Sequence, residues 1–128
     1  MQPTLYLYNL RNDKGQQIEM LCLANNIACR HVNADEYGKY IGYIAGIEGY
    51  NDNDKTTQTA TPFTDEMIIF KGFGQEMLSD FLAMYRQAGI PTIPLKAGLT
   101  PTNIGWSSIE LHAELQQEHQ EFLKQRQK

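Results

Sequence analysis

The chain is short of the residues and motifs that usually announce chemistry. It has two cysteines, Cys22 and Cys29, whose spacing is neither CxxC nor that of a zinc site. A disulfide framework and a zinc ribbon are therefore set aside. Two buried thiols in a reducing cytosol is the ordinary reading, Cys22 on the apolar side of a helix and Cys29 in the next strand. Positive charge is also scarce. Lys and Arg number 11 against 15 Asp and Glu, for a net charge of −4. Without a clustered basic face, nucleic acid is not an expected partner. Lys124, Arg126 and Lys128 are grouped at the end, where they suit the carbonyl terminus of a last helix. No apolar run approaches the roughly 18 residues of a membrane span. Met1-Gln2-Pro3-Thr4 is not followed by the segments of a signal peptide, so no membrane partner and a cytoplasmic location are expected. GxSxG, HExxH, GxGxxG and a Walker lysine are all missing. No catalytic residue, no metal ligand set and no cofactor are expected on these grounds.

What is present is a regular alternation of strands and helices. Of the 128 residues, 41% are hydrophobic and 20% charged, the balance of one globular domain spanning 1–128. Leu5-Tyr6-Leu7-Tyr8 reads as a strand, Gln16 to Asn26 as a helix and Ala28 to Asn33 as a second strand. From Asp35 a helical spacing continues through Tyr37, Tyr40, Ile41, Ile44 and Ile47. Segment 49–65, with Asn-Asp-Asn-Asp and its threonines, has no periodicity and reads as a mobile loop. Its Asp52-Asn53-Asp54 lacks the glycine and distal glutamate of a calcium loop. The pattern then restarts. Met67 to Phe70 is a strand and Gln75 to Ala88 the strongest helix, with Gly89 suited to its C-cap. Thr92 to Ala97 is a fourth strand, and Ser107 with Glu110 forms a capping box opening a helix toward Lys124.

An offset of 63 positions aligns the halves 4–48 and 66–125 without a gap, matching Ile41-Gly42-Tyr43 with Ile104-Gly105-Trp106. An internal duplication of a βαβα unit is the favoured reading. The first and third strands are apolar on both faces, so they belong in the middle of the sheet. The expected fold is a three-layer α/β/α sandwich with a four-stranded, mostly parallel sheet of order 2-1-3-4. Helices one and four would share one face, and two and three the other. A ferredoxin-like α+β fold is the alternative.

In a parallel inner pair the turns after strands one and three lie side by side, at the edge where open α/β sheets hold ligands. Asn9, Arg11 and Lys14 from the first turn, with Lys71, Gly72 and Gly74 from the second, are the candidate residues for a small anion at helix N-termini. Lys96, Thr100 and Asn103, at the end of the fourth strand and in the loop before Trp106, complete the candidate ligand-binding set. Each also fits a plain turn. His112 and His119 lie two turns apart, too far to share one metal, and read as solvated helix histidines. His31 shows no evident partner. Gly38, Gly42 and Gly46, four apart, are costly in a helix interior. They imply either a close approach to that face or a string of turns.

From Leu95-Lys96-Ala97 through Thr100, Asn103 and Trp106 to Glu110-Leu111, Glu114-Leu115 and Glu118-His119, the chain resembles the domain-of-unknown-function family numbered 3783, of anaerobic Firmicutes. Asp65-Glu66-Met67 and Gly72-Phe73 fit it too, and Tyr8-Asn9-Leu10, Ile41-Gly42-Tyr43 and Ala45-Gly46 fit it more loosely. The likeness is dense over 65–119 and thin before that, and it implies no activity. Three functions stay open. One is a non-enzymatic binding or regulatory domain for a small anion or a protein. A second is a homodimeric interaction module, through the glycine-spaced helix or the last helix. The third is an enzyme with an atypical site using Lys96, Asn103 or Tyr37.

Overall fold

Unbroken apolar runs with short flanking turns place two strands where water reaches neither face, and the computed structural model shows this directly. It describes residues 2–50 and 62–126. In chain order the elements are β1 (Thr4–Tyr8), α1 (Asp13–Ala24), β2 (Ala28–Val32), α2 (Ile41–Ile44), β3 (Met67–Lys71), α3 (Gln75–Gln87), β4 (Leu95–Gly98) and α4 (Ser108–Arg126). The sheet has the order β2-β1-β3-β4. Leu5, Leu7, Ile68 and Phe70 stand on one face of the inner pair, and Tyr6, Tyr8, Met67 and Ile69 on the other. None is more than 6% exposed. The α/β class and the strand order read from the sequence hold. Because β2 pairs with β1 itself, the βαβ unit is not split, which removes the ferredoxin-like alternative.

The direction of the inner pair departs from expectation. β1 and β3 run antiparallel, Thr4 opposite Lys71 and Tyr8 opposite Met67. β3 and β4 are parallel, with Ile68 beside Lys96. β2 begins beside the start of β1, where the Ala28 amide donates to the Pro3 carbonyl (2.9 Å). One antiparallel pair thus joins two parallel βαβ units. Two right-handed crossovers that start from antiparallel neighbours and move outward in opposite directions put both helices on the same face. α1 and α3 accordingly pack together, Ile18 and Cys22 meeting Phe81 and Tyr85 over Leu5, Leu7, Ile68 and Phe70. A parallel inner pair would have separated them.

The described chain forms two compact units. Among the described residues the first combines 2–31 with 65–98, and the second 32–50 and 62–64 with 99–126. In the first, α1 starts earlier than its apolar pattern suggests, because the Asn12 carboxamide oxygen accepts from the Gly15 amide (2.9 Å). α3 ends as its sequence requires, Gly89 taking a left-handed φ of +73° just after the last turn.

In the second unit the helix expected from Asp35 to Ile47 is broken. A 3-10 turn at Ala34–Glu36 is followed by the four-residue α2. Gly46 sits at φ +72°, outside the helical region, and a side chain at Gly42 would lie 2.6 Å from the Tyr50 ring. The glycine spacing therefore reflects a string of turns and one close packing contact. The Ile41 amide donates to the Trp106 carbonyl (2.8 Å), and Ile109 to Tyr37 (3.3 Å). Ser107 and Glu110 cap α4 reciprocally, at 3.1 and 2.9 Å, as the sequence indicates. His112 does not stand in solvent. It lies flat on Phe63 at 4.0 Å, and Phe63 stacks on Tyr37 at 4.6 Å. Most of 49–65, including Asp52-Asn53-Asp54, lies outside the described residues.

Candidate functional site

The antiparallel register decides what happens to the two expected turns. Asn9, Arg11 and Lys14 lie at the Tyr8–Met67 end of the inner pair. Lys71, Gly72 and Gly74 lie at the Thr4 end, roughly 13 Å away along five-residue strands. The two turns are not side by side. The first is occupied with its own structure. Lys14 pairs with Glu66 at 2.6 Å, and the same carboxylate accepts from the Asn12 side-chain Nδ2 at 3.1 Å. Asn9, at φ +59°, donates to the Asp65 carbonyl at 2.9 Å. In the second turn Gly72 passes close to Pro3, and Gly74 is the N-cap of α3. Thr100 and Asn103, in the second unit, satisfy each other. The Thr100 amide donates to the Asn103 side chain (2.9 Å), and the Asn103 amide to the Thr100 hydroxyl (3.0 Å).

Lys96 is placed differently. As the parallel neighbour of Ile68 it projects to the same face of the sheet, the one α3 covers. There it lines a pocket of about 200 Å³ with Phe70, Phe81, Leu82, Tyr85, Arg86, Thr92 and Ile93. Phe70 and Phe81 of its wall meet edge to face at a centroid separation of 6.1 Å, and Phe73, outside the lining, packs edge to face on both at 5.2 and 5.7 Å. The Tyr85 hydroxyl donates to the Pro91 carbonyl (2.6 Å), and the Lys96 ammonium to the Ile93 carbonyl (2.5 Å). One of the three ammonium donors is used in that bond. Burial holds the Lys96 amine below the usual lysine range. Burial, then the Glu66 carboxylate, push the Tyr85 phenol up to about 12. An apolar cavity with a desolvated cation at its side suits a small molecule with an apolar body and an anionic head.

A second, wider depression of about 310 Å³ is bounded by Leu10, Arg11, Asn12, Gln16, Glu19 and His31. His31, on β2, does have a partner: its Nε2 pairs with the Glu19 carboxylate of α1. Its Nδ1 is sealed from solvent without a hydrogen-bond partner. A histidine whose remaining nitrogen cannot meet a substrate is not arranged as a general base. Among the described residues, no group of three or more His, Cys, Asp or Glu is disposed to hold a metal.

Tyr85, Arg86 and the Glu19–His31 pair are absent from the sequence-derived site. Arg86 follows Leu82 of the α3 stripe by four residues, so helical spacing alone could have placed it at the rim of whatever Leu82 covers. Nothing in the sequence joins Glu19 to His31.

Among curated proteins and among solved structures, nothing matches the chain. The model of the family described as Domain of unknown function (DUF3783) matches residues 66–122, from the residue before β3 into the second half of α4. That stretch carries Lys96 and the α3 side of the pocket, and it is a segment of that family's kind.

Proposed function

We propose that the first unit is a non-enzymatic binding domain for a small amphipathic anion, seated between α3 and β4. The observation that carries this reading is the placement of Lys96, half-buried against an aromatic cavity of about 200 Å³ with Arg86 at its rim. An ammonium ion there is held at the cost of desolvation, and an anionic head group would offset that cost. The cavity lies below the roughly 300 Å³ at which drug-sized pockets begin. A short aliphatic or aromatic carboxylate fits better than a nucleotide. The binding residues in this reading are Lys96 and Arg86 for the head, with Phe70, Phe81, Leu82 and Ile93 for the body. Asn9, Lys14, Thr100 and Asn103 are better explained as turn and cap residues, given the bonds they make. A cytoplasmic site of action fits the two free thiols.

Titration with hexanoate, benzoate and the neutral analogue hexanol, followed by amide NMR shifts, tests the reading. The carboxylates are expected to shift residues of α3 and β4 and to bind at least about tenfold more tightly than hexanol, or ~1.4 kcal/mol. Lys96→Met should erase that preference. Shifts scattered over the surface, or equal binding of acid and alcohol, overturn it.

A second reading concerns α4, where Phe122 and Leu123 are 53% and 43% exposed. Glu114, Glu118 and Glu121 precede Lys124 and Arg126 in this helix, so an antiparallel second copy would match acidic against basic turns. Light scattering at high micromolar concentration tests this homodimer. A mass of twice the chain is expected, and a monomer overturns it.

A further inference from the structure

The pocket between α3 and β4 has one property that ion pairing leaves unused, the nucleophilicity of its amine. Lys96 is the single lysine in the lining, beside Phe70, Phe81, Leu82 and Ile93. Phe70 is 6% exposed and Phe81 and Ile93 are each 1% exposed, so these walls are sealed from bulk water. Among the described residues no carboxylate pairs with Lys96. Its Nζ donates instead to the Ile93 carbonyl at 2.5 Å. This neutral acceptor holds the nitrogen in place and supplies no counter-charge, and the apolar walls disfavour the ammonium form. Burial lowers the amine from the ordinary lysine value accordingly. A neutral amine keeps one N–H on the Ile93 carbonyl and still has a lone pair, the nucleophile of lysine chemistry. Lys14, by contrast, is ion-paired with Glu66 at 2.6 Å.

Arg86 gives a second point of recognition. It stands at the rim of the same cavity, and no carboxylate of the described residues pairs with it. A carboxylate next to a carbonyl carbon matches the arrangement, with guanidinium for the acid, amine for the carbonyl and apolar walls for the remaining chain. We propose that Lys96 captures short 2-oxo carboxylic acids as a reversible imine, with Arg86 holding the carboxylate. The inference rests on the binding reading of this pocket and narrows its ligand class. The Nζ lone pair attacks the 2-oxo carbon and a C–N bond forms. The carbonyl electron pair moves to oxygen, which takes a proton from nitrogen. The resulting carbinolamine expels its hydroxyl, which leaves as water with the second nitrogen proton while the nitrogen pair closes the C=N bond. In sum, one amine and one ketone give one imine and one water, with no change of oxidation state. Hydrolysis reverses the capture.

The test incubates the native chain with 2-oxohexanoate and sodium cyanoborohydride, which reduces an imine to a stable secondary amine, before intact-mass and peptide analysis. One adduct per chain is expected, on Lys96, with the added mass of the acid less one oxygen. Labelling there should outpace that of any other lysine by at least about tenfold. Neutral 2-hexanone should label Lys96 more slowly, and Lys96→Met should lose the adduct. Labels spread over the surface lysines, no adduct, or equal labelling by 2-hexanone each overturn the proposal. Hexanoate shifts on α3 and β4 without a Lys96 adduct overturn the capture and leave the binding reading standing. A Lys96 adduct in a chain that ignores hexanoate supports the capture and overturns that reading alone. The wild-type result is decisive by itself if Lys96→Met does not fold.

Discussion

At the scale of single residues, the charged side chains of the first turn and of the pocket have opposite fates. Lys14 is bound to Glu66, which also accepts from Asn12, so its charge is spent on closing the β1–α1 turn onto the segment before β3. Lys14→Ala is expected to lower stability by about 1 kcal/mol in urea melts and to leave carboxylate binding unchanged. Lys96 and Tyr85 give opposite pH signatures. Lys96, with its pKa lowered, binds fewer protons folded than unfolded between its folded value and 10.5, so this group makes stability rise with pH there. Tyr85 is raised from 10.0 to about 12, so its contribution is complete below pH 10 and is lost as pH climbs toward 12. Tyr85→Phe should flatten the fall in Tm across that alkaline range. It should also cost about 1 kcal/mol at neutral pH, through loss of the bond to Pro91. An unchanged alkaline slope would show that the phenol is not the group responsible.

At the scale of elements, the helices that carry the core were legible and the irregular ones were not. α3 shows a clear apolar stripe, and Phe81 at its centre is 1% exposed. Phe81→Ala is expected to cost ~3–5 kcal/mol by chemical denaturation and to enlarge the pocket it lines. The stretch after β2 has the same three-and-four spacing at Tyr37, Tyr40, Ile41 and Ile44. That spacing could not reveal that Gly46 would take a left-handed φ, or that Tyr50 would fold back over Gly42. Gly42→Ala, whose new methyl meets the Tyr50 ring, should lose ~1–3 kcal/mol. Gly74→Ser, at the α3 N-cap with open space around it, should gain a few tenths of a kcal/mol. Thermal melts of the two variants check both signs.

At the scale of the whole chain, polarity told which strands lie inside but not which way they run. A strand buried on both faces reads as the same apolar run whether its neighbour is parallel or antiparallel. The long connection from β2 to β3 constrains neither direction, and so the expected pairing of the two turns failed while the strand order held. The register also carries an echo of the sequence. Ile69 lies 63 positions after Tyr6, the offset that aligns the two halves, and these residues face each other at the middle of the ladder. Leu5 opposite Phe70 is then the twin of Ile68 opposite Leu7. An antiparallel pair has a local twofold axis, and in this register it passes through the Tyr6–Ile69 pair. The pocket follows from the same geometry, because outward crossovers from an antiparallel pair bring α1 and α3 to the face on which Lys96 projects. Cross-strand nuclear Overhauser effects between β1 and β3 test that register most directly. The account predicts contacts of Leu5 with Phe70, Tyr6 with Ile69 and Leu7 with Ile68. Contacts of Leu5 with Ile68 and Leu7 with Phe70, the signature of a parallel pair, would contradict it.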